Sequence, residues 1–183
     1  MLMNANTLLL SRPEATEYAP YYDKYISLIR GTDIIEILEK QLQDFPKFFS
    51  GRTEKDGELR YAAEKWSVKQ VLGHLNDTER VFSYRALRIS RNDKTPIEGY
   101  EQDDYVRYGP FEQCRLSDLV QDFTCVRNAT ISLFRNLNGE AWTRSGVANK
   151  NQVTVRALPY IIAGHAVHHR KILEERYFTP AAR

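Results

Sequence analysis

The chain has 183 residues, of which 42% are hydrophobic and 27% are charged, an ordinary balance for one globular domain. Its 26 Lys and Arg nearly match its 24 Asp and Glu, so the charge does not indicate a nucleic-acid or anionic-membrane partner. Two cysteines, Cys114 and Cys125, are too few for a disulfide-stabilised secreted scaffold, and both are predicted to be reduced thiols.

Targeting signals are absent from the sequence pattern. The most apolar stretch, 157–167, is about half the roughly 20 residues that a membrane span needs. The leucines at 8–10 form too short an apolar run for a signal peptide, and no basic residue precedes them. We therefore expect a cytoplasmic protein with no membrane contact. Residues 1–17 lack periodicity and are predicted to be an N-terminal arm before a single domain at 18–183.

Four segments have apolar residues at helical spacing, which predicts amphipathic helices at about 33–49, 67–92, 117–138 and 154–177. A short aromatic turn or helix at 21–29 precedes the first and is broken at Gly31. The second begins at Ser67, where Ser67 and Gln70 match a capping box. In the fourth, Pro159 lies deep for a first-turn proline, which predicts a kink or a later start.

Strand signals are weak, and one connection is long. No run of alternating β-branched residues exceeds a few positions. The connection from about Asp93 to Leu116 contains Tyr100, Asp104 and Tyr105, which either pack over the end of the bundle or cover a site. Four long helices with one long connection favour an all-α four-helix bundle.

The histidines are the most informative residues. His165 and His169 are four apart in the fourth predicted helix, so their side chains share a face, and apolar residues on that face indicate that both point inward. His168 lies at the other edge and is expected to be half-exposed. His74, at the flank of the apolar face of the second helix, is the candidate for a third ligand.

Three inward imidazoles have two interpretations. Each could be a buried histidine with its own hydrogen-bond partner, which is the usual outcome for a single histidine. Alternatively, one cation satisfies all three together, in the open arrangement of a catalytic metal site. Imidazole suits zinc, nickel, copper and iron(II) alike, so the ligand set does not select the metal. The His-Glu-x-x-His peptidase motif is excluded, because Ala166 follows His165.

Two longer motifs resemble those of the DinB/YfiT-like superfamily. The stretch KWSVKQVLGHLNDTER at 65–80 resembles its second-helix motif, and IIAGHAVHH at 161–169 is similar to its fourth-helix motif. The stretch WTRSG at 142–146 is also similar. The resemblance extends from about Tyr22 to Tyr177.

The resemblance implies a four-helix bundle wound up-down-down-up, with a long second connection. It implies that His74, His165 and His169 are the metal ligands, that the divalent ion is nickel or zinc, and that the protein is a homodimer. Members of this superfamily are described as metal-dependent hydrolases or use low-molecular-weight thiols such as bacillithiol, mycothiol or glutathione. A thiol cofactor is therefore a second implied ligand.

Three charged residues are candidates for a pocket around the site. Arg127 lies on the inward face of the third helix, where it forms either a structural ion pair or a clamp for a substrate anion. Asp77, three residues after His74, either orients an imidazole or forms a surface salt bridge. Arg85 lies within about 20° of His74 around the helix and could line the far wall of the pocket.

The sequence leaves two classes of function open. The first is an enzyme in which a metal activates a thiol cofactor or water, giving a thiol S-transferase or a hydrolase of small molecules. Thiol transfer is slightly favoured, because no inward carboxylate that could serve as a base accompanies the histidines. The second is a non-catalytic metal- or ligand-binding protein that acts through a partner. Nucleic-acid binding is not expected.

Overall fold

A computed structural model of the protein describes residues 11–179. The helices are α1 (Asp23–Ile26), α2 (Ile34–Phe48), α3 (Glu54–Glu58), α4 (Val68–Ser90), α5 (Gln102–Tyr108), α6 (Leu116–Arg135), α7 (Gly139–Thr143) and α8 (Ala157–Ile172). A π-helical turn at Leu173–Tyr177 continues α8, and 3₁₀ turns occupy Ala15–Glu17, Pro20–Tyr22 and Phe111–Gln113. The strands are β1 (Ser145–Ala148) and β2 (Asn151–Thr154).

The four long helices form a bundle, as predicted. Helix α4 packs against α6 and α8, and α2 packs against the same two helices. The connection between α4 and α6 covers residues 91–115 and includes α5. The up-down-down-up order stays a prediction. Among residues 11–179, no helix combines the length and hydrophobicity that crossing a membrane requires.

The predicted start of the second long helix agrees with its capping contacts. At the start of α4, the Gln70 amide donates to Ser67 Oγ at 3.2 Å, and the Ser67 amide donates to Gln70 Oε1 at 2.9 Å. Both bonds of the predicted capping box are therefore present. Helix α8 begins at Ala157, which puts Pro159 in its first turn, where a missing amide is tolerated. Of the two outcomes predicted from this proline, the later start is the one observed.

Two apolar clusters fill the bundle, one toward each end. The first includes Ala163 of α8 together with residues of α1 and both strands. The second includes Ala166 of α8 and an aromatic group in which the Phe45 and Phe123 rings stack at 4.2 Å. Because α8 passes from one cluster to the other between Ala163 and Ala166, His165 lies at the boundary between them.

A two-stranded hairpin interrupts the otherwise helical fold and was not predicted. Strands β1 and β2 pair antiparallel through a two-residue turn in which Asn149 and Lys150 have φ of 48° and 63°. Two consecutive positive φ values are those of a type I′ turn. The sequence signal was weak because each strand has four residues and a lysine occupies the second turn position, where glycine is usual. The hairpin brings Asn149 and Asn151 to a cleft that is also lined by His74 and His165.

The described part of the predicted N-terminal arm lies against the domain. Arg12 donates to the carbonyl oxygens of Ile26 and Ile29 at 2.6 and 3.0 Å, and Glu17 forms a salt bridge with Arg156. Residues 1–10 lie outside the described part of the chain. The boundary between arm and domain at residue 17 stays a prediction.

One buried polar network joins all four long helices. Arg127 of α6 donates to both carboxylate oxygens of Glu79 of α4 at 2.8 Å, and to Gln41 Oε1 of α2 at 2.6 Å. Gln41 in turn donates to the Ala163 carbonyl of α8 at 3.0 Å. Since Ala163 is two residues before His165, this network sets the position of α8 relative to α4 close to the histidines.

The Gly164→Ala substitution is expected to destabilise the protein by about 2–3 kcal/mol. A Cβ at Gly164 would overlap the backbone carbonyl of Tyr25, so α1 and α8 would have to move apart. Urea unfolding of the metal-free protein measures the change. Gly139→Ala is the matched control, because nothing lies within 4 Å of the added Cβ. Equal unfolding free energies for the two variants would contradict the close contact.

Candidate metal centre

The structure brings His74, His165 and His169 together between α4 and α8. The Nε2 atoms of His74 and His165 are 3.0 Å apart, and those of His165 and His169 are 3.1 Å apart. Each residue offers one ligand atom, and the three atoms lie within 4.8 Å of one another. Within residues 11–179, no other group of three or more His, Cys, Asp or Glu side chains has this geometry.

The two separations that involve His165 Nε2 fit ligands of one shared metal ion. With a metal–nitrogen bond of about 2.05 Å, two ligand nitrogens are about 2.9 Å apart at a right angle and about 3.3 Å apart at the tetrahedral angle. The observed 3.0 and 3.1 Å lie between these values. Hydrogen bonds alone satisfy such a cluster less well, because a neutral imidazole has only one N–H to donate.

Burial keeps the three imidazoles in the neutral form that binds metal. Burial lowers the pKa of His74 to about 4. It also lowers the pKa of His165 and of His169 well below the usual value, and the neighbouring histidines lower both further. At neutral pH each ring therefore has a nitrogen lone pair available to a cation.

A hydroxyl pair orients His74. Thr78 Oγ1 lies 3.4 Å from His74 Nδ1 and 2.8 Å from the Tyr100 hydroxyl. A proton on Nδ1 would point to Thr78, which leaves Nε2 facing the other two imidazoles. The Trp66 ring also packs against the His74 ring, with their centres 4.9 Å apart.

Within the described part of the chain, no hydroxyl hydrogen-bonds the ring of His165 or His169. The Tyr25 ring meets the His165 ring edge-on at 5.2 Å. His169 Nδ1 is buried and has no hydrogen-bond partner among the described residues. His168 lies outside the cluster, half-buried, with its ring 5.3 Å from that of Tyr25. The half-exposed position predicted for His168 is therefore the one observed.

Two clefts open onto the histidine cluster. The first cleft, of about 320 Å³, reaches His74 and His165 and is lined by Tyr25, Thr78, Phe82, Arg85, Tyr100 and Asn149, among others. The second cleft, of about 740 Å³, reaches His169 and is lined by Arg60, Trp66, Arg107 and Tyr177, among others. The cluster is therefore accessible from two sides, although His74 and His165 are themselves buried.

The other predicted pocket residues divide into one that lines the cleft and two that do not. Arg85 lines the first cleft, as predicted. Arg127 does not, because it is fully buried in its ion pair with Glu79, which is the structural alternative stated for it. Asp77 has its carboxylate 3.6 Å from the Arg80 guanidinium and, among the described residues, forms no hydrogen bond to a histidine. For both residues the structure therefore matches the salt-bridge alternative of the two that were stated.

Two aromatic residues outside the predicted ligand set also border the histidines. Of the two alternatives stated for Tyr100, the structure favours covering a site, because its hydroxyl forms a hydrogen bond with Thr78 and the residue lines the first cleft. Trp66, for which the sequence suggested no role at the site, packs its ring against that of His74 and lines the second cleft. The four-residue spacing from His74 to Thr78 was the available signal that these two side chains meet on one face of α4.

Comparison with known proteins identifies the family. The family model of the DinB superfamily matches residues 37–173. The chain belongs to the DinB superfamily. Both motifs that resemble this superfamily contribute to the cluster, His74 from the first and His165 and His169 from the second. No match is found among curated proteins.

A solved structure agrees in fold with this member of the DinB superfamily. YfiT from Bacillus subtilis is 18% identical and superposes with a TM-score of 0.68, covering 89% of each chain. It is described as a probable metal-dependent hydrolase with an unusual four-helix bundle topology. At this identity the likeness establishes the shared bundle.

Proposed function

We propose that the protein is a metal-dependent enzyme in which Nε2 of His74, His165 and His169 binds one divalent ion. The observation that carries the proposal is the convergence of three neutral imidazole nitrogens, 3.0 and 3.1 Å apart, at a point open to two clefts. Nickel or zinc suits three imidazole ligands. Three protein ligands leave positions for water or substrate, as catalytic sites do.

Hydrolysis of a small molecule is the leading activity. When bound, such an ion lowers the pKa of a coordinated water toward neutrality. The chain's own residues bind and orient: Thr78 holds His74 in the required tautomer, while Tyr25 and Phe82 supply apolar walls to the first cleft. Burial raises the pKa of Tyr100, so its hydroxyl keeps its proton at neutral pH and can donate a hydrogen bond. The description of YfiT supports this activity.

Thiol transfer is the second candidate, and two observations favour it. Two clefts reach different histidines, which gives a thiol cofactor and an electrophile separate approaches. No carboxylate joins the cluster among the described residues, and the acids of the first cleft, Glu101 and Asp103, are exposed. Once formed, a thiolate needs no base, whereas hydrolysis usually benefits from one.

Turnover after metal loading tests the enzyme and separates the candidates. The protein is stripped with a chelator, reloaded with zinc or nickel, and assayed with p-nitrophenyl esters and, separately, with bacillithiol or glutathione and 1-chloro-2,4-dinitrobenzene. We expect one reaction to exceed that of the metal-free protein by about 100-fold or more. Ester hydrolysis alone supports the hydrolase, and conjugation alone supports the transferase.

The remaining outcome favours the second class of function that the sequence left open. Metal uptake without turnover in either assay would contradict the enzyme and leave a non-catalytic metal-binding protein.

A homodimer is also part of the proposal and rests on the family resemblance. Light scattering would detect it at twice the 21.3 kDa mass of the chain.

A further inference from the structure

Arg85 is a buried cation of the first cleft. Its exposed fraction is 3%, and no salt bridge joins it to a carboxylate within residues 11–179. Arg85 Nη2 donates one long hydrogen bond, of 3.4 Å, to the Glu98 carbonyl, and Nε has no partner among these residues. A buried guanidinium normally has its donors satisfied, because an unpaired buried charge is costly.

The second buried arginine of the bundle provides the comparison. Arg127 is fully buried, but it makes two hydrogen bonds to Glu79 and one to Gln41. Arg127 is therefore satisfied within the protein and Arg85 is not. The difference lies in the surroundings, since Arg127 faces other helices and Arg85 faces a cleft.

Arg85 shares one face of α4 with the metal centre. His74, Thr78, Phe82 and Arg85 follow one another at spacings of four, four and three residues, and all line the first cleft. Arg85 is three turns, about 16 Å, beyond His74 along the axis. Its guanidinium lies 4.8 Å from the centre of the Phe82 ring, so the side chain leans back toward His74.

The other charged groups at this cleft leave its interior positive. Glu101 and Asp103 line the cleft but are exposed, so water screens their carboxylates. Arg85, in contrast, is removed from water and acts at short range in a less polar environment. Asn149 and the Tyr100 hydroxyl add neutral polar groups beside it.

We propose that Arg85 binds a carboxylate or phosphate group of the substrate, at a point remote from the bond that reacts at the histidines. The open donors of its guanidinium, Nε included, match the two oxygens of such a group. The substrate class is then a small molecule with an electrophilic centre at one end and an oxyanion at the other. That the bound anion belongs to a substrate rests on the proposed function, whereas anion binding by Arg85 does not.

Titration of matched probes tests the proposal. Hexanoate, its neutral analogue hexanamide, and hexyl phosphate are titrated by calorimetry into the full-length protein, both metal-free and zinc-loaded, at low salt. We expect metal-free wild type to bind hexanoate or hexyl phosphate about 10-fold or more tightly than hexanamide. Whichever of the two anions binds with the higher affinity shows whether the site prefers a carboxylate or a phosphate.

Three variants assign the preference to Arg85. Arg85→Met is expected to abolish the preference for the anion, and Arg85→Lys to retain part of it because the charge is kept. Arg88→Met is the matched control, since Arg88 lies one turn further along α4 and pairs with Asp93 at 2.6 Å. An anion preference that survives in Arg85→Met, or no preference in wild type, would overturn the proposal.

The melting temperature gives a second, independent measurement. Because Arg85 forms no salt bridge with any described residue, Arg85→Met should melt within about 3 °C of wild type or above it. A large decrease would mean that Arg85 is a structural residue, against the proposal. Anion binding by the metal-free protein is measured without turnover. Failure of the proposed enzyme function would therefore appear in the turnover assay, and failure of this proposal in the binding assay.

Discussion

His165→Ala is expected to lower the affinity for zinc by more than about 100-fold while the helical circular dichroism stays unchanged. His165 Nε2 is the central atom of the cluster, since it lies 3.0 Å from His74 and 3.1 Å from His169. Loss of a hydrogen-bond partner of a ligand already costs about 10–100-fold in metal affinity, so loss of the ligand itself should cost more. Competition with a zinc-binding dye measures the affinity, and elemental analysis measures the zinc that purifies with the protein.

His168→Ala is the matched control for this experiment. It removes an imidazole from the same helix, three residues away, whose ring lies outside the cluster. We expect its zinc affinity to stay within about 3-fold of wild type, since it neither ligates nor supports a ligand by hydrogen bonding. Equal loss of zinc in both variants would show that the wrong pair of histidines had been assigned.

Glu79→Gln is expected to destabilise the protein by about 3–5 kcal/mol, because it leaves the Arg127 guanidinium buried without its counter-charge. The pair has exposed fractions of 0% and 4% at its two side chains, so water cannot replace the lost carboxylate. For a chain of this length such a loss lowers the melting temperature by about 10 °C. Urea unfolding followed by circular dichroism measures the free energy.

Two further variants separate ion-pair loss from other causes. Glu174→Gln removes the same charge from an exposed pair with Arg170 on one helix face, and should cost less than about 0.5 kcal/mol. The double variant Glu79→Leu/Arg127→Met removes both buried charges and should recover most of the loss. A Glu79→Gln variant as stable as Glu174→Gln would contradict the buried network.

The buried network and the histidine cluster are connected through α4 and α8. Glu79 is five residues after His74, and the Ala163 carbonyl that Gln41 binds is two residues before His165. The network therefore holds the two histidine-bearing helices at the separation that brings the Nε2 atoms together. In this way a stabilising feature far from solvent supports the geometry of the site.

Local features of the chain could be predicted from the sequence. The capping box at Ser67 and Gln70 depends on contacts within one helical turn, and it was found as predicted. The shared face of His165 and His169 follows from helical geometry alone. The motifs at 65–80 and 161–169 identified the superfamily. By resemblance, they also predicted His74 as the third metal ligand.

Features that depend on partners distant in the chain needed the tertiary structure. Arg85 and Arg127 both lie toward the interior of the bundle, and the sequence could not say which was paired. The fold brings Glu79, 48 residues away, to Arg127, and it leaves Arg85 facing a cleft. The sequence by itself determined the helices and the spacing of the histidines, because these depend on neighbours within a turn or two. Only the tertiary structure decided which buried charge is neutralised within the protein, because that depends on which helices become neighbours.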